Sequence, residues 1–109
     1  MDREELLKII ESKEVIGIDL SGQRLEKIDF TGCRIERTSF KGCELVHCRF
    51  RNTKISWSDL RYAEIQHGTF EGAEIEFSDF YRAFIDGVVI FSGSSFSNCS
   101  LNKTYLGEC

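Results

Sequence analysis

A large apolar residue returns at every fifth position through most of this chain: Leu20, Leu25, Phe30, Ile35, Phe40, Leu45, Phe50, Ile55, Leu60, Ile65, Phe70, Ile75, Phe80, Ile85 and Ile90. After a slip of one residue the beat resumes at Phe96, Leu101 and Leu106. An amphipathic helix repeats at three and four residues and a half-buried strand at two, so a period of five fits neither. A second row keeps the same register two residues before each centre. It holds Cys33, Thr38, Cys43, Cys48, Thr53, Ser58, Ala63, Gly68, Ala73, Ser78 and Ala83, then Ser94, Cys99 and Thr104. The other three positions of each unit are mostly charged, polar or glycine. Each unit therefore points one large and one small side chain inward and three outward. A chain that turns this way while keeping one face inward winds into a solenoid, in which every unit needs neighbours to bury its face.

The units Thr38-Ser39-Phe40-Lys41-Gly42, Ser58-Asp59-Leu60-Arg61-Tyr62, Gly68-Thr69-Phe70-Glu71-Gly72 and Ser78-Asp79-Phe80-Tyr81-Arg82 resemble the pentapeptide-repeat motif of a small residue, Asp or Asn, Leu or Phe, a polar residue and often Gly. The likeness covers residues 17 to 107. It implies an all-β fold: a right-handed, four-sided parallel β-helix with four units per coil. Twenty residues per coil would stack Phe30, Phe50 and Phe70 in one column with Ile90 beneath them. Ile35, Ile55 and Ile75 would form a second column, and Leu25, Leu45, Ile65 and Ile85 another. Phenylalanine then falls in the two columns that face each other, which supports the four-unit turn independently. About four and a half coils stacked at ~4.8 Å predict a rod of about 20 Å.

The chain before this beat reads as a helix over residues 2 to 13. Asp2 followed by Glu5 is a capping box, and Leu6, Ile9 and Ile10 share one face with Leu7 at its edge. The expected organisation is a capping helix in 1–16, lying over Ile16, Ile18, Leu20 and Leu25, and a β-helix in 17–109, together one domain. The slip across 88–93 reads as a bulge, with Gly93 supplying a positive φ. From Phe91 on, Phe96, Leu101, Tyr105, Leu106 and Cys109 complete with it a coil end with apolar side chains and open strand edges. A symmetric homodimer would cover that end, and the family resemblance implies the same carboxyl-terminal contact.

Composition changes this picture little. The 109 residues are 41% hydrophobic and 29% charged, with no proline and a net charge of −4. No apolar run approaches the ~20 residues of a membrane span, and the acidic amino terminus is unlike a secretory signal, so the expected setting is cytoplasmic, without membrane contact. Outward positions from Gly17 to Leu60 carry eight Lys and Arg against six Asp and Glu, and from Arg61 onward three against seven. The basic residues are interleaved with acids and lie away from the aromatics, which argues against nucleic-acid binding. Outward aromatics begin abruptly at Trp57 and continue with Tyr62, Phe77, Tyr81, Phe84, Phe91 and Tyr105. Trp57 should lie over Phe77, with Arg37 above it as a cation–π neighbour, and Tyr62 over Arg82. Trp57, Tyr62, Phe77, Tyr81, Arg82 and Phe84 are the candidate partner surface, since such residues dominate contact surfaces.

Candidate chemistry is sparse. Cys33, Cys43, Cys48 and Cys99 fall on the small inward row and read as compact hydrophobes; no CxxC spacing points to zinc. Cys109 is the one thiol expected to be exposed, as a site of intermolecular oxidation. His47 and His67 are twenty apart and should be neighbours in one outward column, two ligands at most for a surface metal. Asp59 and Asp79 should stack on a flat wall without a cleft, and the side-chain-filled interior should leave no pocket. The sequence therefore predicts no catalytic residues, no metal and no cofactor. It reads as a non-enzymatic interaction or scaffold protein, homodimeric through its last coil. The alternative, implied by the resemblance, is a DNA mimic that binds a type II topoisomerase; mimicry requires a long surface of one sign, which these mixed charges lack.

Overall fold

The computed structural model describes residues 1–107. A single helix, α1 (Arg3–Glu11), opens the chain, with the Asp2 carboxylate accepting the Glu5 N–H at 2.9 Å as its cap. Ten short strands follow: β1 (Glu14–Ile16), β2 (Arg24–Glu26), β3 (Arg34–Glu36), β4 (Glu44–Val46), β5 (Lys54–Ser56), β6 (Glu64–Gln66), β7 (Glu74–Glu76), β8 (Phe84–Asp86), β9 (Ser95–Ser97) and β10 (Tyr105–Leu106). Odd strands stack in parallel as one sheet, β1-β3-β5-β7-β9, and even strands as another, β10-β8-β6-β4-β2. Two ladders of single bridges close the square: Asp19, Ser39, Asp59, Asp79 and Ser100 on one side, Asp29, Arg49, Thr69 and Ile90 on the other. The result is a four-sided parallel β-helix of about five turns. Walls 1 to 4 here denote the odd sheet, the Asp59 ladder, the even sheet and the Arg49 ladder, in the order the chain visits them.

A five-residue side works because the chain bends at the same place in every unit. The residue two after each buried centre has a positive φ at corner after corner, whether glycine (Gly22, Gly32, Gly42, Gly72) or not (Lys27, Arg37, His47, Asn52, Trp57, Tyr62, His67, Phe77, Arg82). After wall 2 and wall 4 centres the bend closes as a hydrogen-bonded turn, as in Cys33 N–H to Phe30 C=O at 3.0 Å and Cys43 N–H to Phe40 C=O at 3.0 Å. With positive φ at the third residue only, these follow the type II pattern. The Asp of the motif serves the same turn: Asp19, Asp29, Asp59 and Asp79 each accept from the backbone N–H two residues on, and Ser39 and Thr69 do likewise through their hydroxyls.

The inward ladder is dry. Leu20, Phe30, Ile35, Phe40, Leu45, Phe50, Ile55, Leu60, Ile65, Phe70, Ile75, Phe80 and Ile85 are all at most 2% exposed. Phe30, Phe50 and Phe70 stack with centroids 4.7 and 4.8 Å apart, and Phe40 meets Phe30 and Phe50 edge-on from the opposite wall at 5.9 and 6.0 Å. The small row does more than fill gaps. Thr38 Oγ1 donates to Val15 C=O, Cys43 Sγ to Leu20 C=O at 2.8 Å and Cys48 Sγ to Leu25 C=O at 3.2 Å, each reaching the coil above. The thiols are thus hydrogen-bond donors as well as hydrophobes, and burial pushes the Cys43 thiol up to about 11 and those of Cys33 and Cys48 above their ordinary value.

Three expectations need adjusting. The solenoid begins at Glu14, where β1 pairs with β3 and Val15 is fully buried, so the first strand lies inside the segment assigned to the capping helix. Leu6 and Ile10 of α1 cover that coil. Second, the added residue enters earlier than 91: Gly87 keeps the corner φ of +74, Val88 is the extra residue, and Val89 becomes the buried small-row member. Third, Phe91 rather than Ile90 continues the core column, stacking on Phe70 at 5.3 Å, while Ile90 turns outward and is 42% exposed. Gly93 occupies the ordinary corner position of that unit, not the bulge. An aromatic two-wall stack already above position 91 selects the ring over the branched chain.

Phe50→Ala, which opens the middle of the ring stack, should lower the unfolding free energy by ~3–5 kcal/mol in urea titration. The buried thiols should resist alkylation in the native state. Because burial raises the Cys43 pKa on folding, the contribution of that thiol is complete below its ordinary value of 9.0 and is lost as pH rises through about 11. Cys43→Ala should flatten the stability profile across that alkaline window.

Candidate functional site

The corner bend decides where the outward aromatics stand. Trp57 and Phe77 occupy consecutive corner positions between walls 1 and 2, at φ +52 and +51. Their rings stack at 4.6 Å and 8°, and they are 59% and 42% exposed. Tyr62 and Arg82 occupy the next corner, between walls 2 and 3, at φ +61 and +54. The Tyr62 ring meets Tyr81 edge-on at 5.9 Å; Arg82 lies 5.6 Å over the Tyr81 ring and its Nε donates to the Tyr81 hydroxyl at 3.2 Å. Two aromatic edges therefore flank wall 2, whose face between them carries Asp59 and Arg61 in a two-point ion pair. That hydrogen-bonded guanidinium holds the Asp59 carboxyl below its usual range.

A left-handed backbone costs a residue with a side chain ~1–2 kcal/mol, which glycine escapes. An offset-stacked ring pair returns ~0.5–1.5 kcal/mol, so the Trp57–Phe77 stack offsets part of the strain and buries little. The signal was present in the sequence, because these residues align with Gly22, Gly32 and Gly42, two positions after their own centres.

Phe84 stands on wall 3 and stacks on Tyr105 at 4.5 Å and 13°. With Tyr62, Arg82 and Lys103 these rings border a shallow groove of about 370 Å³. Lys103 was not anticipated there. This contact joins the candidate partner surface to the last coil, where Leu101 and Leu106 are 48% and 63% exposed and Phe96 packs edge-on to Phe80 at 5.7 Å. Phe91, assigned to that end, is partly buried against the core and also meets Phe96 at 5.8 Å. Cys109 lies outside the described residues. Arg37 turns to Glu36 at 3.4 Å, so the cation–π contact found among the described residues is that of Arg82 and not Arg37 over Trp57. His47 and His67 do stack, at 5.2 Å and 18°. Among the described residues no cluster of three or more His, Cys, Asp or Glu is placed to hold a metal, and no helix is long and apolar enough to cross a membrane. On the outer surface an open groove of about 820 Å³ runs beside the two histidines.

The family model for the pentapeptide repeat region matches residues 16–88. Among solved structures, a pentapeptide repeat protein of the Arabidopsis thaliana thylakoid lumen is 27% identical over 75% of this chain, with a TM-score of 0.37, and this chain spans 61% of its length. Rfr23, a pentapeptide repeat protein of the cyanobacterium Cyanothece 51142, is 16% identical, with 95% and 90% of the two chains covered and a TM-score of 0.28. QnrB1, a plasmid-mediated fluoroquinolone resistance protein, is 15% identical, with 88% and 84% covered and a TM-score of 0.31. No curated protein sequence matches the chain. With its five-residue sides, its square coil and a family model covering most of its length, this chain belongs to the pentapeptide repeat family, whose fold is the right-handed quadrilateral β-helix.

Proposed function

We propose that this protein is a non-enzymatic interaction scaffold of the cytoplasm, homodimeric through its last coil and presenting the aromatic edges of wall 2 to a protein partner. The observation that carries the reading is the Trp57–Phe77 stack: two large rings held in a strained backbone conformation and left open to water. A left-handed backbone recurs at every corner of this coil, so what sets these two positions apart is the size and exposure of their rings. Tyr62, Tyr81 and Arg82 on the neighbouring edge supply the aromatic and guanidinium anchors that binding surfaces favour. Free, separated thiols in the core fit a reducing compartment. The exposed Leu101 and Leu106, below open edges of β9 and β10, favour a second copy as the cover for that end.

The competing reading, a DNA mimic acting on a type II topoisomerase, requires an unbroken acidic face. Here Arg24 pairs with Glu44 at 2.7 Å, Arg51 with Glu71 at 3.9 Å and Lys54 with Glu74 at 4.0 Å, each pair spanning successive coils and breaking an acidic column.

Trp57→Gly should change stability by no more than about 1 kcal/mol, because relieved backbone strain, the lost stack and the added chain entropy nearly cancel; thermal denaturation checks this. Light scattering in dilute solution should report a dimer, with and without reductant, and Leu106→Lys should report a monomer. A monomeric wild-type mass would remove the dimer. The triple change Trp57→Ala, Phe77→Ala and Tyr81→Ala should abolish capture of partners that the wild-type protein retains, with the fold unchanged by circular dichroism. Inhibition or protection of gyrase in a supercoiling assay would instead favour the mimic.

A further inference from the structure

On the side of the rod opposite the Trp57–Phe77 edge, three departures from the repeat coincide in one place. The first is the extra residue, Val88, the one break in the five-residue beat. The second is Arg49. Along walls 2 and 4 the residue before the centre is an oxygen acceptor that caps the turn at Asp19, Asp29, Ser39, Asp59, Thr69 and Asp79, but Arg49 and Ile90 hold no acceptor. Arg49 is also the arginine which, among the described residues, makes neither an ion pair nor a side-chain hydrogen bond, its charge acting at longer range on the Asp29 carboxylate; the other arginines do. The third is the stacked pair His47 and His67, one corner away.

All three border the 820 Å³ groove between walls 3 and 4. Its volume falls within the ~300–1,000 Å³ typical of small-molecule sites. Cys48 and Gly68 form its floor, Lys27 and Arg49 stand at one end, and Val88 and Ile90 give the other an apolar rim, 67% and 42% exposed. The bulge orients His67: the Val88 N–H donates to its Nδ1 at 3.3 Å, which leaves the ring proton on Nε2 as a donor. Gly87 makes room for that ring, since a side chain there would come within 2.5 Å of His67 Cε1. Asp29 is the acid of this lining, and its carboxylate is already engaged by the Thr31 hydroxyl and N–H. Lys27 and Arg49 against Asp29 leave the groove one net positive charge with both imidazoles neutral. Two stacked imidazoles without a third ligand make a poor metal site, whereas lysine, arginine and imidazole N–H donors suit an anion.

We propose that this groove binds a small organic anion, with its carboxylate or phosphate held by Lys27, Arg49 and the imidazole donors and its apolar part against Val88 and Ile90. The site is separate from the aromatic edges and stands or falls independently of the scaffold reading. The test is a ¹H–¹⁵N NMR titration of the full chain with benzoate, with phenyl phosphate and, as the uncharged comparison, with benzyl alcohol. Saturable shifts confined to His47, His67, Gly68 and the Arg49 side chain are expected with one or both anions, and the stronger of the two identifies the head group; benzyl alcohol should leave them in place. Arg49→Gln and Lys27→Gln, each with a dispersed native spectrum, should weaken binding by roughly tenfold or more, and Lys41→Gln, a cation on another wall, should not. Shifts that fail to saturate, that spread equally to Lys41 and Lys103, that benzyl alcohol reproduces, or that survive Arg49→Gln would overturn the proposal.

Discussion

The whole molecule depends on one backbone condition: two residues after each inward centre, the chain must turn left-handed. That bend gives each side its length of five and returns each centre to the same interior. It also aligns the chain so that the Leu20 N–H meets the Ser39 carbonyl and the Phe40 N–H meets the Asp59 carbonyl, linking coil to coil. Without it, residues twenty apart would not be neighbours, and neither the ring stack of Phe30, Phe50 and Phe70 nor the thiol bonds to the coil above would exist. Hydrophobic burial then supplies the driving force, but the corner decides which side chains it acts on.

A rule applied at every corner makes exceptions informative. Glycine meets the condition at no steric cost, and an amide such as Asn52 meets it cheaply. Trp57, Tyr62, Phe77 and Arg82 meet it at a cost and point outward, so their presence is not explained by the fold. At Asp59 and Asp79 the turn is capped by a carboxylate, and at Arg49 it is not. Residues other than glycine take the left-handed corner on all four edges of the square, and Trp57, Phe77 and Tyr62 among them stand on the two edges of wall 2.

The inserted Val88 shows how local the consequences of a broken period are. The backbone bonds continue past it, with the Phe70 N–H now reaching the Ile90 carbonyl and the Gly72 N–H reaching that of Ser92. Sheet register above and below is kept, because the extra residue is absorbed at one corner. What changes is the outer surface. His67 gains a backbone donor, Ile90 turns out, and the adjoining wall opens into a groove.

The interior could be read from the spacing alone. A strict spacing of five with a small residue two before each centre leaves one way to hide every large side chain, and the residues from Leu20 to Ile85 lie where that spacing puts them. The sequence also contained the corners, since Gly22, Gly32 and Gly42 share a register with Trp57 and Phe77. Where the insertion is absorbed depends instead on packing, because Ile90 and Phe91 are both apolar and it is Phe91 that stacks on Phe70 of the coil above. Packing alone joined Phe84 to Tyr105, turned Arg37 toward Glu36, and set Arg49 across a groove from two histidines. Those choices depend on contacts between coils twenty residues apart, where outward side chains carry no periodic signal and packing against the neighbouring turn settles their direction.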